Sequence, residues 1–306
     1  MEIAHRLEDV KPDIPSVVTV GVFDGVHLGH QAIMRMVKVA ARGHQARSAV
    51  VTFDGNPEAA IHPESAPPSI TTLNQKLDLI ARQGMDLALV LPVDRSTIEM
   101  PAMQFVLDIL CEKLNTQQVV VGKDFQFGKG KVGNVNLLRE MGKELGFGVI
   151  AVASITVGEV QVSSTAIRQL ISEGAVEDAD EMLGHPFALA GTVVPGQGIG
   201  QALGFPTANI RPAENQILPR NGVYAVTVNP GRRWWVGVAN IGTRPTVGGM
   251  GTTVEVYIIG FSGNIYGQEL EVAFHHRIRD ERKFPDTDAL RGQISRDVEQ
   301  ALRLLE

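Results

Sequence analysis

Two histidines stand three residues apart in a glycine-rich stretch near the start of the chain. The stretch reads Gly-Val-Phe-Asp-Gly-Val-His-Leu-Gly-His over residues 21–30. Glycine lets a ligand approach the backbone closely, and a helix that begins here would offer unpaired N–H groups and a positive dipole end. Imidazoles at that place, His27 and His30, suit the binding of phosphate during nucleotidyl transfer. A tight turn with surface histidines is the alternative.

A second group of phosphate donors stands much further along the chain. Ser163, Ser164 and Thr165 are followed by Arg168. Their hydroxyls, the N–H groups of a helix start and a guanidinium fork all match phosphate oxygens. Alone, the segment is typical of an ordinary capped helix with a solvated arginine. Together with the histidine stretch, it predicts a second set of phosphate contacts.

Three residues in the last third of the chain suit a different phosphate reaction. Thr207 and Asn209 share one face if they lie on a strand, and their neutral oxygens suit a Mg²⁺ ion that ATP phosphates already hold. In isolation, these residues are more typical of a capped turn that enters a strand. Glu255 stands between β-branched neighbours and is a candidate base for a hydroxyl group, unless its strand turns it towards solvent. The chain lacks a Gly-Lys-Ser/Thr phosphate loop, so a kinase of that class is excluded.

Strand-like and helix-like runs alternate in the first half of the chain. Strands are predicted over 17–21, 48–53, 86–91, 118–122 and 148–153, and helices over 29–42, 72–83, 101–114 and 134–145. This alternation predicts a doubly wound parallel sheet covered on both faces. Ligands of such sheets bind at the carboxyl ends of the strands, where the histidine stretch falls.

The pattern changes after a helix that opens near Ser163 and a short helical piece that ends at Gly184. Period-two strands follow over 187–195, 205–210, 223–229, 234–240, 253–261 and 269–278, and a last helix over 286–305. This pattern predicts an antiparallel barrel or sandwich. We therefore expect two domains, 1–183 and 184–306.

Four motifs in this order resemble those of the bacterial bifunctional riboflavin kinase/FAD synthetase (FMN adenylyltransferase) family. They are residues 21–30, Gly-x-Asp-Phe-x-Phe-Gly at 122–128, Ser-Ser-Thr-x-Ile-Arg at 163–168, and Gly-x-Gly-x-x-x-Gly-Phe-Pro-Thr-Ala-Asn at 198–209. The resemblance implies a Rossmann-like FMN adenylyltransferase domain, followed by a small β-barrel riboflavin kinase domain with a C-terminal helix. It implies phosphorylation of riboflavin to FMN, and then adenylylation of FMN to FAD with release of pyrophosphate.

The resemblance also implies roles for particular residues. The catalytic groups are Glu255, His27 and His30. In the adenylyltransferase, the residues implied to bind ATP and its phosphates are Gly21, Phe23, Asp24, Gly25, Gly29, Ser163, Ser164, Thr165 and Arg168. Asp124, Phe125 and Phe127 are implied to bind FMN in the same domain. At least one of the two phenylalanine rings is expected to anchor its loop in the core instead. In the kinase, the residues implied to bind ATP are Gly198, Gly200, Gly204, Pro206, Thr207 and Asn209. Of these, Thr207 and Asn209 are also implied to bind Mg²⁺. Asn240 and Arg279 are implied to bind flavin.

The chain departs from the family pattern at a few positions. Many relatives carry Pro-His where this chain has Gly55-Asn56, and arginine where it has Gln126 and Gln201. The absent loop histidine and Gln126 make a riboflavin kinase with a weak or inactive adenylyltransferase domain one alternative, whereas Gln201 would weaken nucleotide binding in the kinase half. A flavin-responsive binding protein is a second, against which Glu255 and the histidine stretch argue. A dinucleotide-dependent oxidoreductase would need Gly-x-Gly-x-x-Gly after the first strand, which is missing.

Composition narrows the class of protein further. The net charge of −6 argues against nucleic acid as a partner, and no apolar run reaches the about 20 residues of a membrane helix. The single cysteine, Cys111, excludes an intrachain disulfide bond and a cysteine-cluster metal site. We expect a cytoplasmic enzyme, monomeric or weakly homo-oligomeric, that acts on ATP, riboflavin and FMN.

Overall fold

The computed structural model describes residues 1–62, 64, 66–196, 198–231, 233–246 and 249–305. The chain divides into two compact units: Met1–Ser69 with Leu73–Ser163, and Ile70–Thr72 with the chain from Ser164 onward. Residues 164–183 thus belong to the second compact unit, whereas the sequence pattern places them before the predicted boundary at 183/184. The boundary between the two functional domains remains a prediction.

The first unit is built on a parallel sheet. Its strands, in chain order, are β1 (Glu2–Ala4), β2 (Ser16–Val20), β3 (Arg47–Phe53), β4 (Leu87–Leu91), β5 (Thr116–Gly122), β6 (Gln126–Phe127), β7 (Gly133–Asn134), β8 (Gly148–Val152), β9 (Thr156–Val157) and β10 (Val160–Gln161). Six of them form the sheet in the order β1-β4-β3-β2-β5-β8, and each neighbouring pair is parallel. The pairs β6–β7 and β9–β10 are short antiparallel ribbons.

Helices cover both faces of this sheet. They are α1 (Leu28–Gly43), α2 (Pro57–Ile61), α3 (Leu73–Arg82), α4 (Arg95–Ile98), α5 (Ala102–Gln104), which continues as a π-helix over Phe105–Lys113, and α6 (Val135–Leu145). Short 3₁₀ turns lie at Leu7–Asp9, Asp24–Val26 and Lys129–Lys131. Successive strand residues enter different apolar clusters: Val17 packs with Met34 and Val37, whereas Val18 packs with Phe105 and Leu110. The predicted two-sided packing of the sheet is confirmed.

The order of the strands places one crevice at the carboxyl edge of the sheet. From β2 the chain first adds β3 on one side and later adds β5 on the other. Such a topological switch point is where ligands of doubly wound sheets bind. The turn after Val20 and the loop after Gly122 therefore start side by side.

The second unit contains a closed antiparallel barrel, so the barrel alternative is confirmed and the sandwich is wrong. Its elements are α7 (Ser164–Glu173), α8 (Val176–Leu183), β11 (Phe187–Val194), α9 (Ile199–Ala202), β12 (Thr207–Pro212), β13 (Gly222–Asn229), β14 (Trp235–Thr246), β15 (Gly249–Ile258), β16 (Glu269–Arg279) and α10 (Thr287–Leu305). The strand order is β11-β12-β15-β14-β13-β16, and β16 pairs with β11 to close the barrel.

Alternation along the barrel strands separates an interior from a second, outer packing face. Phe274 packs inside against Phe187 and Tyr224, with ring centroids 5.8 and 5.3 Å apart. Outward-facing Val223 and Val238 pack in a separate cluster with α10. The C-terminal helix therefore covers part of the outer wall of the barrel, and outward-facing residues there need not face solvent.

We expect Phe274→Ala to lower the free energy of unfolding of the barrel by about 3–5 kcal/mol, because it removes a fully buried ring. Trp234 and Trp235 are the chain's two tryptophans, so tryptophan fluorescence during urea unfolding reports on the barrel. Phe284→Ala is the control, since Phe284 is only half-buried and should lose less than half as much stability. Equal losses in the two variants would contradict this account of the core.

Candidate active sites of the two units

The turn that follows β2 has an unusual backbone. Phe23, Gly25 and Val26 all have left-handed torsions, with φ of 53°, 77° and 39°. Such torsions are uncommon outside glycine, and for a β-branched residue such as valine they store about 1–3 kcal/mol of strain. Phe23 and Val26 are also buried. The surrounding structure must therefore hold this turn in place.

Two glycines of the turn make room for aromatic rings. A Cβ atom at Gly21 would lie 3.0 Å from the ring of Phe23, and one at Gly29 would lie 3.1 Å from the ring of His27. Both distances are shorter than normal carbon contacts. An alanine at either position would thus force the neighbouring ring to shift by a few tenths of an ångström.

The two histidine rings are stacked on each other at the start of α1. Their centroids lie 3.6 Å apart at an interplanar angle of 17°, and the edge of Phe23 packs 5.1 Å from His30. His27 Nδ1 accepts a hydrogen bond from the backbone N–H of His30 at 3.4 Å and so caps the helix. His30 Nδ1 is buried without a hydrogen-bond partner among the described residues. The structure brings the two predicted imidazoles together at a helix N-terminus.

Burial holds the pKa of His30 well below its ordinary value of 6.5, and the charges of His27 and Lys76 lower it further. At pH 7 the His30 imidazole is therefore neutral and acts as a hydrogen-bonding group rather than as a cation. A phosphate placed beside it would favour the protonated form.

The loop after β5 begins beside this turn and carries the residues predicted to contact FMN. Asp124 is exposed, Phe125 is half-buried, and Phe127 is buried. The rings of Phe125 and Phe127 stack 5.5 Å apart, and Phe127 also packs on Phe105 in the core. Phe127 thus has the position of a loop anchor, and Phe125 remains a candidate for flavin contact.

Asn56, one of the residues that depart from the family pattern, has a structural role of its own. The side chain of Asn56 accepts a hydrogen bond from the Glu58 backbone N–H at 3.0 Å and caps α2. Gln126 is exposed. Lys131 Nζ lies 3.3 Å from a carboxylate oxygen of Glu58. Asn56 therefore replaces the relatives' histidine with a helix cap.

The third motif falls where the two compact units divide. Ser163 ends the first unit, while Ser164, Thr165 and Arg168 begin α7 in the second. Ile167 is buried and fixes the helix, while Arg168 is half-buried and Thr165 is exposed. Contact of these four predicted residues with nucleotide remains a prediction.

In the barrel, four of the predicted kinase residues lie in one row across adjacent strands, together with Val223. Asn209 lies opposite Glu255, Glu255 opposite Asn240, Asn240 opposite Val223, and Val223 opposite Arg279. Directly paired residues have Cβ atoms about 4.5–5.5 Å apart and point to the same face. The Glu255 carboxylate is therefore flanked by an amide side chain on each side.

A cavity of about 280 Å³ opens over this row between the outer wall of the barrel and α10. Five of its lining residues were predicted from sequence: Gly200, Thr207, Asn240, Glu255 and Arg279. Its other walls are largely apolar and include Phe205, Tyr257, Phe284, Leu290 and Ile294. Mostly apolar walls with a few convergent polar groups are typical of a small-molecule site. Glu255 faces outward, but into this cavity rather than into bulk solvent.

The glycine-rich segment before β12 packs tightly on the predicted ATP residues. Gly198 and Gly204 have left-handed torsions, with φ of 73° and 86°, and the predicted Pro206 is exposed. A Cβ atom at Gly200 would lie 2.5 Å from the carbonyl oxygen of Phe205, and one at Gly196 would overlap the side-chain amide of Asn209. Glycine is therefore required at position 196, where the backbone passes close to the side chain of Asn209, and at position 200, where it passes close to the Phe205 carbonyl.

Arg279 is fixed by a carboxylate that sequence reasoning missed. Its Nε and Nη2 donate to the two carboxylate oxygens of Asp297 at 3.0 and 2.7 Å, and Nη1 donates to the Asp280 carbonyl at 3.0 Å. Asp297 is only 2% exposed. This bidentate pair orients the guanidinium at the cavity wall. In the sequence, the only sign of this role was the position of Asp297 beside the apolar stripe of the last helix.

Lys76 is a second charged residue that sequence reasoning missed. It is buried and lies near the histidine turn, where its charge affects His30. The signal was its place on an apolar helical stripe, three residues after Leu73 and four before Ile80. Pattern reading assigns such positions to the core.

A doubly wound unit with stacked histidines at its switch point, joined in one chain to a barrel with a carboxylate in its cavity, defines a two-site nucleotide-dependent transferase. Residues 10–166 match the family model for FAD synthetase, and residues 183–305 match that for riboflavin kinase. The chain belongs to the family of bifunctional riboflavin kinase/FMN adenylyltransferases.

Individual relatives agree with that membership along almost the whole chain. The bifunctional riboflavin kinase/FMN adenylyltransferase of Escherichia coli (strain K12) is 38% identical over 96% of this chain and 93% of its own length. That of Pseudomonas fluorescens is 36% identical over 99% and 98%. A crystal structure described as a macrolide-efflux protein from Streptococcus pneumoniae is 31% identical, has a TM-score of 0.87 and covers 97% of both chains. Within the described part of this chain, no helix is long and apolar enough to cross a membrane.

We expect Gly196→Ala to lower riboflavin phosphorylation about tenfold or more, since the added methyl displaces Asn209 from its place beside Glu255. FMN adenylylation should stay within twofold. Gly292→Ala is the control, because its Cβ would meet only Arg296 at an ordinary 3.8 Å. The measurement is the initial rate of FMN formation, and an unchanged rate in Gly196→Ala would contradict the proposed importance of Asn209.

The His30 imidazole should titrate well below pH 6.5 in the folded protein. An unfolded chain takes up this proton near pH 6.5 and the folded chain does not, so His30 lowers stability as pH falls through that range. The measurement is an NMR titration of the histidine ring signals, with His30→Asn to identify the resonance. His27→Asn should raise the pKa of His30, and an unperturbed titration of His30 would refute the assignment.

Proposed function

We propose that this chain phosphorylates riboflavin to FMN in its barrel and adenylylates FMN to FAD in its doubly wound domain, with ATP as donor in both reactions. The observation that carries the proposal is that each matched region contains its own cluster of polar side chains suited to a phosphate-transfer reaction. These are the stacked pair His27 and His30 in the first unit, and the row around Glu255 in the second. Riboflavin, FMN and FAD are therefore substrates and products.

For the kinase, we assign Glu255 as the base. It accepts the proton of the terminal ribityl hydroxyl while that oxygen forms a bond to the γ-phosphorus of ATP and the bond to ADP breaks. Asn240 and Arg279 line the same cavity and orient the flavin. Gly198, Gly200, Gly204 and Pro206 form the segment that approaches the nucleotide.

The donor set of the barrel fits a magnesium ion carried by ATP. Thr207 and Asn209 lie two residues apart on β12 and supply neutral oxygens, and Asn209 lies opposite the carboxylate of Glu255. Mg²⁺ takes few protein ligands when phosphates fill its other positions. When bound, the ion neutralises charge on the transferring phosphate.

For the adenylyltransferase, an oxygen of the FMN phosphate attacks the α-phosphorus of ATP, and pyrophosphate leaves. His27, His30 and the N-terminus of α1 stabilise the phosphate charge that develops. Gly21 and Gly29 leave room for the rings of Phe23 and His27, and Gly25 adopts a left-handed torsion. Phe23 supports His30, and Asp24 lies buried within the turn. The sequence motifs support nucleotide contacts for Ser163, Ser164, Thr165 and Arg168, and flavin contacts for Asp124, Phe125 and Phe127.

We assign residues 1–183 to the adenylyltransferase and 184–306 to the kinase, in line with the matches at 10–166 and 183–305. We further propose a cytoplasmic enzyme that is a monomer or weak homo-oligomer and does not bind nucleic acid. The net charge of −6 supports the last point.

The proposal is tested by chromatography of the products formed from riboflavin, ATP and Mg²⁺. His30→Ala should stop at FMN, because it removes a phosphate-binding group only from the first site. Glu255→Ala should lower FMN formation by about 10²–10⁴-fold, as expected for loss of a general base, yet still convert supplied FMN to FAD. The matched controls are His44→Ala and Glu269→Ala, which replace an exposed histidine of the first unit and an exposed glutamate of the second. Both should behave as wild type.

Each other outcome has a defined meaning. Wild-type protein that stops at FMN would indicate the alternative, a riboflavin kinase with an inactive adenylyltransferase domain. FAD formation by His30→Ala at the wild-type rate would overturn the assignment of the first site. Absence of any flavin product from wild-type protein would overturn the enzymatic proposal as a whole.

A further inference from the structure

Lys76 places a buried ammonium group directly beneath the histidine turn. It lies on α3, is 5% exposed, and shares its face of the helix with Leu77 and Ile80. A charged group at such a position is costly unless it is hydrogen-bonded and compensated. Its surroundings therefore indicate what it is held there to do.

The ammonium group connects two segments at the carboxyl edge of the sheet. Lys76 Nζ donates to the carbonyl oxygen of Phe53 at 2.7 Å and to that of Val22 at 3.2 Å. Phe53 is the last residue of β3, and Val22 lies in the turn that leads to the histidines. The same Val22 carbonyl accepts a hydrogen bond from Thr52 Oγ1 at 3.2 Å. Lys76 thus fastens the turn to the neighbouring strand.

This attachment occurs where the backbone needs support. Val22 immediately precedes Phe23, the first of the left-handed residues in the turn. Strained torsions persist only where the surrounding contacts over-determine them. On the far side of the strained segment, Gln31 Nε2 donates to the Val26 carbonyl at 3.0 Å. Lys76 and Gln31 therefore hold the two ends of the strained segment.

The charge of Lys76 also reaches the groups of the site. Burial lowers the pKa of Lys76 to about 8, against the opposing effects of Asp24 and Asp54. In turn, the charge of Lys76 lowers the pKa of His30, together with His27. Among the described residues, Asp24, Asp54 and His27 are the three other titratable groups that act on the pair Lys76 and His30. Lys76 thus supplies positive potential to the place where phosphate is proposed to bind.

We propose that Lys76 is a positioning residue of the adenylyltransferase site, which holds the strained turn in its binding conformation and provides a fixed positive charge beneath the phosphates. This inference rests on the proposed nucleotide role of the turn. Lys76 touches protein carbonyls, and its effect on ATP acts through the turn and through its field.

Raising the pH separates the two parts of this role. A neutral amine still carries two N–H donors, enough for the carbonyls of Val22 and Phe53, whereas the charge is lost. For wild-type protein we expect kcat/KM for ATP in FMN adenylylation to fall as pH rises through about 8, since this parameter reports the free enzyme. A flat wild-type profile between pH 7 and 9.5 would overturn the role of the charge without any substitution.

Substitutions test the same point independently. Lys76→Met should lower kcat/KM for ATP in adenylylation by about 10- to 100-fold and remove the fall near pH 8. Lys76→Arg keeps a charge that does not titrate in this range, so it should retain more activity than Lys76→Met and show a flat profile. Lys38→Met is the matched control, because Lys38 Nζ also donates to a carbonyl, that of Gln83, at 2.7 Å, but away from the turn. It should match wild type.

A readout besides activity is the titration of His30 by NMR. Lys76→Met should raise the pKa of His30, because it removes a neighbouring positive charge, and Lys38→Met should leave it unchanged. Riboflavin phosphorylation in the barrel should stay within twofold in every variant. Unchanged adenylylation in Lys76→Met, or a lowered rate that keeps the fall near pH 8, would overturn the inference.

His30→Ala in the same assay distinguishes the two levels of the argument. If His30→Ala retains adenylylation, the turn is not the nucleotide site and the proposed assignment fails. If His30→Ala loses adenylylation while Lys76→Met retains it, only the role of Lys76 fails.

Discussion

The first site depends on one constraint: between β2 and α1 the non-glycine residues Phe23 and Val26 adopt left-handed torsions that need support from the surrounding fold, whereas Gly25 between them adopts its left-handed torsion without strain. Their strain bends the chain so that two imidazoles stack over a helix N-terminus at the switch point of the sheet. The glycines, the buried Phe23 ring and the hydrogen bonds to Val22 and Val26 all serve that bend. Strain held by the surrounding fold is a common property of functional turns.

In the barrel, regular secondary structure rather than a strained turn positions the polar groups of the site. Its polar groups stand in register on adjacent strands, where the ladder of backbone hydrogen bonds fixes their spacing. The C-terminal helix closes the site from outside, and the Arg279–Asp297 pair ties that helix to β16. The buried Lys76 and the half-buried Arg279 both have hydrogen-bond partners: Lys76 donates to carbonyls and Arg279 donates to a carboxylate. Each is therefore held in one geometry rather than left as an uncompensated charge.

Sequence alone predicted the elements whose periodicity is long and regular, such as α1, β3 and α10, because buried faces impose that periodicity. It missed β1, the β6–β7 ribbon and α2, which are too short to show a period. The family resemblance located the motifs, but the sequence does not show that α10 covers the outer face of the barrel, so that an outward-facing Glu255 lines a cavity. Lys76 and Asp297 escaped notice because pattern reading expects apolar residues at buried helical positions, and only tertiary contacts reveal their partners.

The central proposal is that two separate sites in one chain act in sequence on flavin, with FMN as the product of one site and the substrate of the other. Mixing two defective variants tests this most directly: His30→Ala supplies only FMN, and Glu255→Ala uses only FMN. The account predicts that either variant alone forms FAD from riboflavin, ATP and Mg²⁺ far more slowly than wild type, whereas the mixture forms it readily. A mixture that accumulates FMN without FAD, although Glu255→Ala adenylylates added FMN, would show that released FMN does not connect the two sites. Failure of Glu255→Ala to use added FMN would contradict the assignment of separate residues to the two reactions.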